Sequence, residues 1–281
     1  MSRRPPDAGV YLLASDAVWR WTSACAESLR SFNPELRVVV IPYNDELRII
    51  KRLCALHRFE LWNGPDFAWV DRLGKRLGGP APRHMRKLAA FDGPLEHFLY
   101  LDVDTVVLMD LEPVLTAVTE RPGMVLFAHA GTSAGYVDEV YRPGPWRERF
   151  VAEHGTRAGN AGVWAAARGT FTPTQLARLV EAAEPIAAEF PSTDQGFLNF
   201  CLDSTGAPVG NLHDFPEIRR RPMMWAGDPR CLESETGVRV PRGCPVGLVH
   251  WAGYGISPEM PLRSLWEKWA PNCSADEPVS Q

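Results

Sequence analysis

The sequence predicts an α/β protein with a mostly parallel central sheet, and two observations support this class. The first half of the chain alternates Val/Leu/Ile-rich runs with segments whose apolar residues recur at helical spacing. Its most apolar run, residues 98–107, carries Asp102 and Asp104 one residue apart. A β-α-β-α succession builds a mostly parallel sheet that helices cover on both faces. Such a sheet binds ligands at the carboxyl ends of its strands, where these aspartates would lie.

The first half divides into regular elements. They are, in order, strand 9–15, helix 16–31, strand 36–42, helix 45–58, helix 83–91 and the strand that carries Asp102. Asn44 or Asp45 is the expected N-cap of the second helix. The intervening stretch 64–82 is rich in Gly and Pro, so we expect a surface loop there.

The second half is less regular. Its predicted elements are strand 124–129, strand 162–167, helix 172–189, helix 192–202 and strand 246–251. Thr172 or Thr174 is the expected cap of the first of these helices, and Ser192 with Gln195 fits a capping box for the second. Residues 131–159 have few apolar periods and are expected to be irregular. We expect one domain over residues 1–270 and a disordered tail over residues 271–281.

Composition excludes several classes of protein. The 281 residues are 45% hydrophobic and 23% charged, and the net charge of −4 provides no basic field for nucleic acid. No apolar run approaches the roughly 18 residues that a membrane-spanning helix needs. Residues 10–14 are too short for a signal-peptide core, so we expect a cytoplasmic protein.

The six cysteines form no C-x-x-C pair, which argues against zinc. Cys25, Cys54 and Cys201 lie in apolar surroundings, where a free thiol behaves as a small core residue. A disulfide between Cys231 and Cys244 is the less favoured alternative to free thiols, because no secretion signal is evident.

Asp102 and Asp104 indicate a metal site. Side chains two residues apart on a strand point the same way, so both carboxylates could converge on one hard divalent cation. A solvated turn is the alternative, but the apolar pattern continues after Asp104 and would bury two unpaired charges. His250 ends a later apolar run and would supply a third ligand. Gly253 follows it and lets the backbone approach a ligand closely.

Four sequence blocks resemble the GT-A nucleotide-sugar glycosyltransferases, specifically the retaining family 8 that includes glycogenin and bacterial galactosyltransferases. The blocks run in the family's order, between about residues 10 and 258. They are Met85-Arg86-Lys87-Leu88 with the D-x-D at Asp102-Val103-Asp104, Asn160-Ala161-Gly162-Val163, Asp194-Gln195-Gly196-Phe197-Leu198-Asn199, and His250-Trp251-Ala252-Gly253. The implied fold is a Rossmann-like, three-layer α/β/α structure with a mixed, mostly parallel sheet.

The resemblance implies a site as well as a fold. Mn²⁺ or Mg²⁺ would be held by Asp102, Asp104 and His250 against the diphosphate of a nucleotide-sugar donor. The resemblance implies a UDP-sugar as this donor, and its hexose would pass to an unknown acceptor hydroxyl. Asp194 and Gln195 would be catalytic, although both also suit a helix N-terminus. The implied donor-binding residues are Ala14, Ser15, Asp16, Lys87, Val103, Asn160, Ala161 and Gly253. The nucleotide would occupy the half formed by residues 9–108, and the sugar and acceptor the half formed by residues 109–270.

Several departures and alternatives accompany this interpretation. Ile256 stands where the family has a phosphate-binding lysine, for which Arg263, Arg86 or Arg83 could substitute. Lys87 could instead be a solvated helix residue, and Asn160 could serve only an Asn-x-Gly turn. Among the tryptophans of the second half (Trp146, Trp164, Trp225 and Trp251), each could stack on a sugar or simply pack in the core. The rival function is a Mg²⁺-dependent phosphohydrolase of the haloacid dehalogenase type, whose first motif is also D-x-D-x-[TV].

Overall fold

The computed structural model of the chain describes residues 7–63, 67–79, 81–128, 136–155, 158–234, 237–240 and 243–270. The expected disordered tail and part of the stretch 131–159 lie outside these residues. Within them, no helix is both long and apolar enough to cross a membrane.

The strands are β1 (Ala8–Ala14), β2 (Arg37–Pro42), β3 (Glu60–Leu61), β4 (His97–Asp102), β5 (Thr105–Val107), β6 (Val125–Phe127), β7 (Val163–Ala167), β8 (Val209–Asn211), β9 (Met223–Trp225), β10 (Leu232–Ser234), β11 (Gly237–Arg239) and β12 (Leu248–His250). The α-helices are α1 (Trp19–Phe32), α2 (Arg48–His57), α3 (Ala68–Leu77), α4 (Glu112–Glu120), α5 (Tyr136–Val140), α6 (Pro145–His154), α7 (Pro173–Ala183), α8 (Thr193–Thr205), α9 (Pro216–Arg219) and α10 (Arg263–Trp269). Short 3₁₀ segments cover Asp16–Val18, Pro82–Asp92, Glu184–Glu189 and Leu212–Asp214.

The main sheet has seven strands in the order β3-β2-β1-β4-β7-β6-β8. The strands β3, β2, β1 and β4 are parallel to one another, β7 runs antiparallel to both of its neighbours, and β8 is parallel to β6. A small second sheet has the order β5-β12-β9. The predicted α/β class with a mixed, mostly parallel sheet is therefore confirmed.

Helices cover both faces of the main sheet, as the alternation of side chains along β1 and β4 requires. Tyr11 and Tyr100 belong to one buried cluster, which includes residues of α3, α7 and α8. Leu12 and Leu101, their neighbours in sequence, belong to a second cluster with residues of α1, α2 and α4. Strands that are buried on both faces read as continuous apolar runs, which is the pattern from which they were predicted.

Two predicted loops contain helices. The stretch 64–82 holds α3, whose Val70, Leu73 and Leu77 are buried at helical spacing despite the surrounding glycines and prolines. The stretch 131–159 holds α5 and α6. In both places the turn-forming residues flank a short helix, and tertiary packing of its few apolar residues outweighs the local composition.

The caps also differ from expectation. Thr172 caps α7 in a complete capping box with Gln175. Ser192 is the N-cap residue of α8, but its side chain accepts no capping hydrogen bond, so the predicted capping box with Gln195 does not form. The Ser192 hydroxyl donates to Asp194. The backbone N–H groups at the start of α2 are bound by Asp16 rather than by Asn44 or Asp45.

The cysteines are free thiols where the structure describes them. Cys25, Cys54 and Cys201 are buried, as their apolar surroundings predicted, and Cys231 and Cys244 do not form a disulfide.

Candidate functional site

The run around the two aspartates is divided between two sheets, and this division creates the candidate site. β4 ends at Asp102 in the main sheet, the chain bends at Val103 and Asp104, and Thr105 begins β5 in the small sheet. The two aspartates were expected at the carboxyl end of a strand, and β4 does end at Asp102. The Thr105 hydroxyl donates to the carbonyl oxygen of Asp102 and stabilises the bend. The aspartates therefore occupy a strand exit and the turn after it.

The second sheet brings His250 to the aspartates. β12 runs antiparallel to β5, and His250 is paired directly with Thr105. The Trp251 N–H donates to the Asp104 carbonyl oxygen at 2.9 Å, which fixes the two segments together. As a result, the ligand atoms of Asp102, Asp104 and His250 all lie within 4.8 Å of one another.

The imidazole of His250 faces the carboxylate of Asp104. Its Nε2 atom is buried and lies 3.2 Å from Asp104 Oδ1. Among the described residues, no group makes a hydrogen bond to Nε2. Gly162 leaves the space open, since a Cβ there would lie 2.3 Å from His250 Cε1 and 2.9 Å from Asp102 Oδ2. Two carboxylates and an imidazole nitrogen in a glycine-lined gap fit a divalent cation.

The charges of this group stabilise each other. Burial alone would raise the pKa of Asp104, but the attraction of His250 outweighs it, and the pKa is lowered. Burial alone would lower the pKa of His250, but Asp104 reverses the effect and raises that pKa. The pair therefore favours an ionised Asp104 carboxylate next to a positive charge, which is either a protonated His250 or a bound metal ion.

Lys87 is not a solvated helix residue, because its side chain is almost completely buried. Its side chain is 4% exposed, and Nζ lies 2.6 Å from Asp194 Oδ2 and 3.3 Å from Asp102 Oδ1. It also donates to the Ala161 carbonyl oxygen at 3.2 Å. Burial opposes its charge, but the two aspartates outweigh burial and raise the pKa of Lys87. Lys87 thus joins the D-x-D to the N-terminus of α8. Tyr100 adds a further support, because its hydroxyl donates to Asp102 Oδ1 at 2.6 Å.

Asp194 and Gln195 lie in the first turn of α8, and both side chains are engaged. Asp194 Oδ1 accepts from the Ser192 hydroxyl at 2.7 Å, while Oδ2 is paired with Lys87. Burial would raise the pKa of Asp194, but the Lys87 charge more than offsets it, and the pKa is lowered. Gln195 Oε1 accepts from the Ala161 N–H at 3.1 Å. The start of α8 is therefore attached to the loop that precedes β7.

These groups surround a cavity of about 510 Å³ at the carboxyl ends of β1 and β4. The sequence-predicted residues that line it are Ser15, Lys87, Asp102, Val103, Asp104, Asn160, Ala161, Asp194, Gln195, His250 and Gly253. The other lining residues were not among the predicted site residues, and they are Leu13, Ala17, Val18, Trp21, Tyr43, His84, Glu139, Gly162, Ser192 and Ala252. Tyr43 follows the carboxyl end of β2, so the rule that placed the aspartates at a strand exit could have found it.

Two of the predicted donor-binding residues do not line this cavity. Ala14 is buried, and its carbonyl oxygen accepts from the Tyr43 N–H at 2.8 Å. Asp16 Oδ1 accepts from the N–H groups of Ile49 and Ile50 at 2.9 and 3.0 Å. Asp16 therefore caps α2, a role for which a short acidic side chain is well suited.

Asn160 forms the predicted turn and also lines the cavity. Its Oδ1 accepts from the Gly162 N–H at 2.7 Å, which is the Asn-x-Gly turn. The residue also lines the cavity, beside the gap that Gly162 leaves for His250. The turn therefore fixes Asn160 at the cavity wall.

The arginines proposed to replace the missing lysine are bound elsewhere. Arg86 makes two hydrogen bonds to the Asp71 carboxylate, at 2.7 and 2.6 Å, and Arg263 donates to Glu267 at 2.6 Å. Arg83 is exposed and does not line the cavity. In the part of the chain that the structure describes, Lys87 is the one lysine or arginine in the lining, and two aspartates already share its charge.

The mixed seven-stranded sheet has the GT-A fold, which is that of the solved glycosyltransferases it resembles. No protein-family model matches the sequence, and no curated protein matches it. Solved structures do match, with low identity. The bifunctional glycosyltransferase WbbM is 14% identical with a TM-score of 0.62, over 97% of this chain and 51% of its own. This chain therefore spans about half of WbbM.

Two further solved structures are matched over nearly their whole length. The galactosyltransferase LgtC, in complex with donor and acceptor sugar analogues, is 15% identical with a TM-score of 0.56, over 96% of this chain and 97% of its own. Mouse xyloside xylosyltransferase 1 is 11% identical with a TM-score of 0.53, over 88% of this chain and 98% of its own. At such identities the likeness shows a shared fold.

Proposed function

We propose that this protein is a metal-dependent, retaining glycosyltransferase that moves a hexose from a nucleoside-diphosphate sugar, with UDP as the first choice, to an acceptor hydroxyl. The observation that carries the proposal is the convergence of Asp102, Asp104 and His250, whose ligand atoms lie within 4.8 Å of one another in the lining of the cavity. The similarity in fold to LgtC, a galactosyltransferase, supports the same class of reaction.

The cation would be Mn²⁺ or Mg²⁺, held by Asp102, Asp104 and His250. When bound, it would supply Lewis-acid stabilisation of the charge on the departing nucleoside diphosphate. The protein's own cations contribute little there, since Lys87 is shared by two aspartates and Ile256 replaces the family's lysine. Binding of a diphosphate is therefore expected to depend strongly on the metal ion.

The two halves of the chain would bind different parts of the donor. Residues 9–108 provide Ser15, Tyr43 and Val103 at the strand exits, where base and ribose would lie. Residues 109–270 provide Asn160 and the start of α8, which would contact the sugar. The turn at Asn160 and the Lys87–Asp194 pair make this part of the wall rigid, which favours a fixed orientation of the sugar.

We infer that the acceptor hydroxyl attacks the anomeric carbon of the sugar on the face from which the nucleoside diphosphate departs. Such an attack retains the configuration at that carbon. A double displacement needs a carboxylate free to form a bond with the sugar. Asp194 is the nearest candidate by sequence block, but Ser192 and Lys87 engage both of its oxygens. We therefore assign Asp194 and Gln195 to positioning the sugar-binding wall, with Asp194 acting through Lys87 on Asp102.

The phosphohydrolase alternative makes a different use of the same acids. It would require Asp102 as a nucleophile toward phosphate, yet its Oδ1 atom accepts from Tyr100 and is close to Lys87. The position of His250 beside Asp104 has no part in that chemistry. These contacts favour the transferase.

The test measures hydrolysis of UDP-glucose and UDP-galactose with Mn²⁺ and without acceptor, against phosphate release from p-nitrophenyl phosphate. We expect metal-dependent UDP release and no phosphomonoesterase activity. Asp102→Asn and His250→Ala should each lower UDP release at least about tenfold, since metal-ligand environments typically contribute that much.

His154→Ala is the matched control for the histidine. His154 lies with Glu153 and Asp203 in a second group of acidic and histidine side chains, away from the cavity. Its loss should leave UDP release unchanged. Activity in both histidine variants equal to that of the unaltered protein would contradict the assignment, and phosphate release would favour the phosphohydrolase.

A further inference from the structure

We propose that Trp225 forms a stacking platform for a carbohydrate acceptor, so that the acceptor of the proposed transferase is a sugar rather than a peptide hydroxyl. This inference rests on the proposed function, and it concerns the acceptor, which the donor-binding residues do not define.

Trp225 is the one exposed tryptophan of the four singled out from the second half of the sequence. Trp164 and Trp251 are completely buried, and Trp146 is partly buried against Phe200 and beneath Arg149. Trp225 is 41% exposed. An exposed tryptophan in a position fixed by other contacts is a common feature of surfaces that bind a partly apolar ligand.

The strand register places Trp225 next to the proposed metal-binding group, which is formed by Asp102, Asp104 and His250. β9 runs parallel to β12, and Trp225 is paired with His250, which is itself paired with Thr105 on the other side. Partners in register on neighbouring strands project from the same face of a sheet. Trp225 and His250 therefore share a face, and both contact a small pocket that also includes Asn160 of the main cavity.

Two contacts fix the indole. Its N–H donates to the Ala252 carbonyl oxygen at 3.0 Å, and Ala252 lines the main cavity. The ring stacks on Tyr254 with centroids 5.7 Å apart and planes at 28°. Gly227 makes room for this pair, since a Cβ there would lie 2.4 Å from Tyr254 Oη and 2.5 Å from Trp225 Cη2. A ring held in this way loses little conformational entropy when a ligand binds.

The chemistry of such a surface matches a pyranose. One face of a hexose presents C–H groups that pack on an indole, while its hydroxyls remain directed to water and to polar groups. Asn160, at the edge of the small pocket, is a polar side chain within this area. A peptide acceptor would need backbone partners along an extended groove, and the contacts of Trp225 provide a single flat face. We therefore assign the surface to a carbohydrate.

The test separates the donor reaction from the acceptor reaction. Purified full-length protein with Mn²⁺ is given UDP-glucose or UDP-galactose, first alone and then with a panel of methyl hexosides and disaccharides or with a peptide that contains Ser and Tyr. Donor hydrolysis reports on the proposed function. Transfer, and saturation-transfer NMR of the saccharides in the presence of UDP, report on the acceptor surface.

Trp225→Ala should raise the acceptor KM about three- to tenfold, the range expected for loss of one aromatic contact, while acceptor-free hydrolysis stays within about twofold. Trp225→Phe should be intermediate. Gly227→Ala should also raise the acceptor KM, because it displaces the ring without removing it. Leu56→Ala is the control, since Leu56 is an exposed apolar residue of α2 that does not line the cavity.

Each result decides the inference. Saccharide transfer with an acceptor KM that is unchanged in Trp225→Ala would overturn it, and so would transfer to the peptide alone. Saccharide signals in the NMR experiment that disappear in Trp225→Ala would support it. Absence of donor hydrolysis, with saccharide binding retained, would overturn the proposed function and leave a carbohydrate-binding surface.

Discussion

The Lys87 ammonium lies 2.6 Å from the Asp194 carboxylate, and the two side chains are only 4% and 8% exposed. The pair connects the 3₁₀ segment before β4 with the first turn of α8. Because Lys87 also approaches Asp102, one buried cation positions an acid of the proposed metal-binding group and an acid of the proposed sugar-binding wall.

This pair should make a pH-dependent contribution to stability. The folded-state pKa of Asp194 lies below the ordinary value of 3.8. The stabilising effect of the ionised Asp194 is therefore complete well above pH 3.8. It is lost progressively as the pH falls from 3.8 through the lower folded-state pKa. We expect Asp194→Asn to lower the free energy of unfolding by about 3 kcal/mol at pH 7, because it leaves a buried ammonium short of a partner. The difference from the unaltered protein should narrow below about pH 4.

Thermal and urea unfolding at pH 7 and pH 3 measure this difference. Asp138→Asn is a suitable control, since Asp138 forms an exposed ion pair with Arg147 and such pairs contribute at most about 1 kcal/mol. A loss in Asp194→Asn that is equally large at both pH values would contradict the expected role of its charge.

Binding of Mn²⁺ should weaken as the pH falls. A proton and a metal ion compete for the imidazole of His250, whose pKa is raised above 6.5. Below that raised pKa, the apparent affinity should decrease by about tenfold per pH unit. His250→Asn should bind more weakly with a flatter dependence, as measured by electron paramagnetic resonance of free Mn²⁺. Identical profiles for the two proteins would exclude His250 as a ligand.

Gly162→Ala should displace side chains of the proposed metal-binding group without removing any of its ligands. The added Cβ would collide with His250 and approach Asp102, and both must move. We expect at least about a tenfold loss of Mn²⁺ affinity, comparable to loss of a group that orients a ligand. Gly255→Ala is the control, since nothing lies within 4 Å of its Cβ position. Unchanged Mn²⁺ binding in Gly162→Ala would show that the gap does not hold the ion.

Tyr100→Phe should act through Asp102. The variant removes the hydroxyl that donates to Asp102 Oδ1, and groups that orient a metal ligand typically contribute tenfold or more to affinity, as a rough guide. Isothermal titration with Mn²⁺ and UDP measures the effect. Tyr11→Phe removes another buried hydroxyl, which accepts from the Leu95 N–H, and it should leave binding unaffected. Equal behaviour of the two variants would show that the Tyr100 contact is only structural.

Asp16→Ala distinguishes a structural from a donor-binding role. Because Asp16 accepts from two N–H groups at the start of α2, its loss should lower the free energy of unfolding by about 1 kcal/mol. UDP affinity, measured at a temperature where the variant is folded, should stay within about twofold. Ser15→Ala is the comparison, since Ser15 lines the cavity. A large loss of UDP affinity in Asp16→Ala alone would restore the role that the sequence blocks implied.

The sequence was a good guide where apolar patterning determines structure. The strands before Asp102 are buried on both faces, so their composition alone indicated parallel strands and their ligand-binding ends. It was a poor guide to α3, which depends on three buried residues within a Gly- and Pro-rich stretch. Local composition predicts a loop in such a case, and only packing against the rest of the core reverses it.

At the site, motif spacing identified most of the side chains but not their partners. Lys87 was found, yet its burial between Asp102 and Asp194 depends on contacts between segments far apart in sequence. The sequence did not indicate that β5 joins a different sheet from β4, because both segments are apolar. The strand β5 belongs to the small sheet because it forms hydrogen bonds with β12. These two segments are far apart in the sequence, so no local pattern predicts their pairing.

The division of Asp102 and His250 between two sheets affects when the proposed site can assemble during synthesis of the chain. The acids lie at the end of β4 and in the bend before β5, while the strand that carries their histidine comes after β11. A nascent chain that has emerged only as far as α8 could assemble most strands of the larger sheet, yet the proposed ion-binding group would still lack its nitrogen donor. Maturation of the proposed site would thus wait until β12 has left the ribosome.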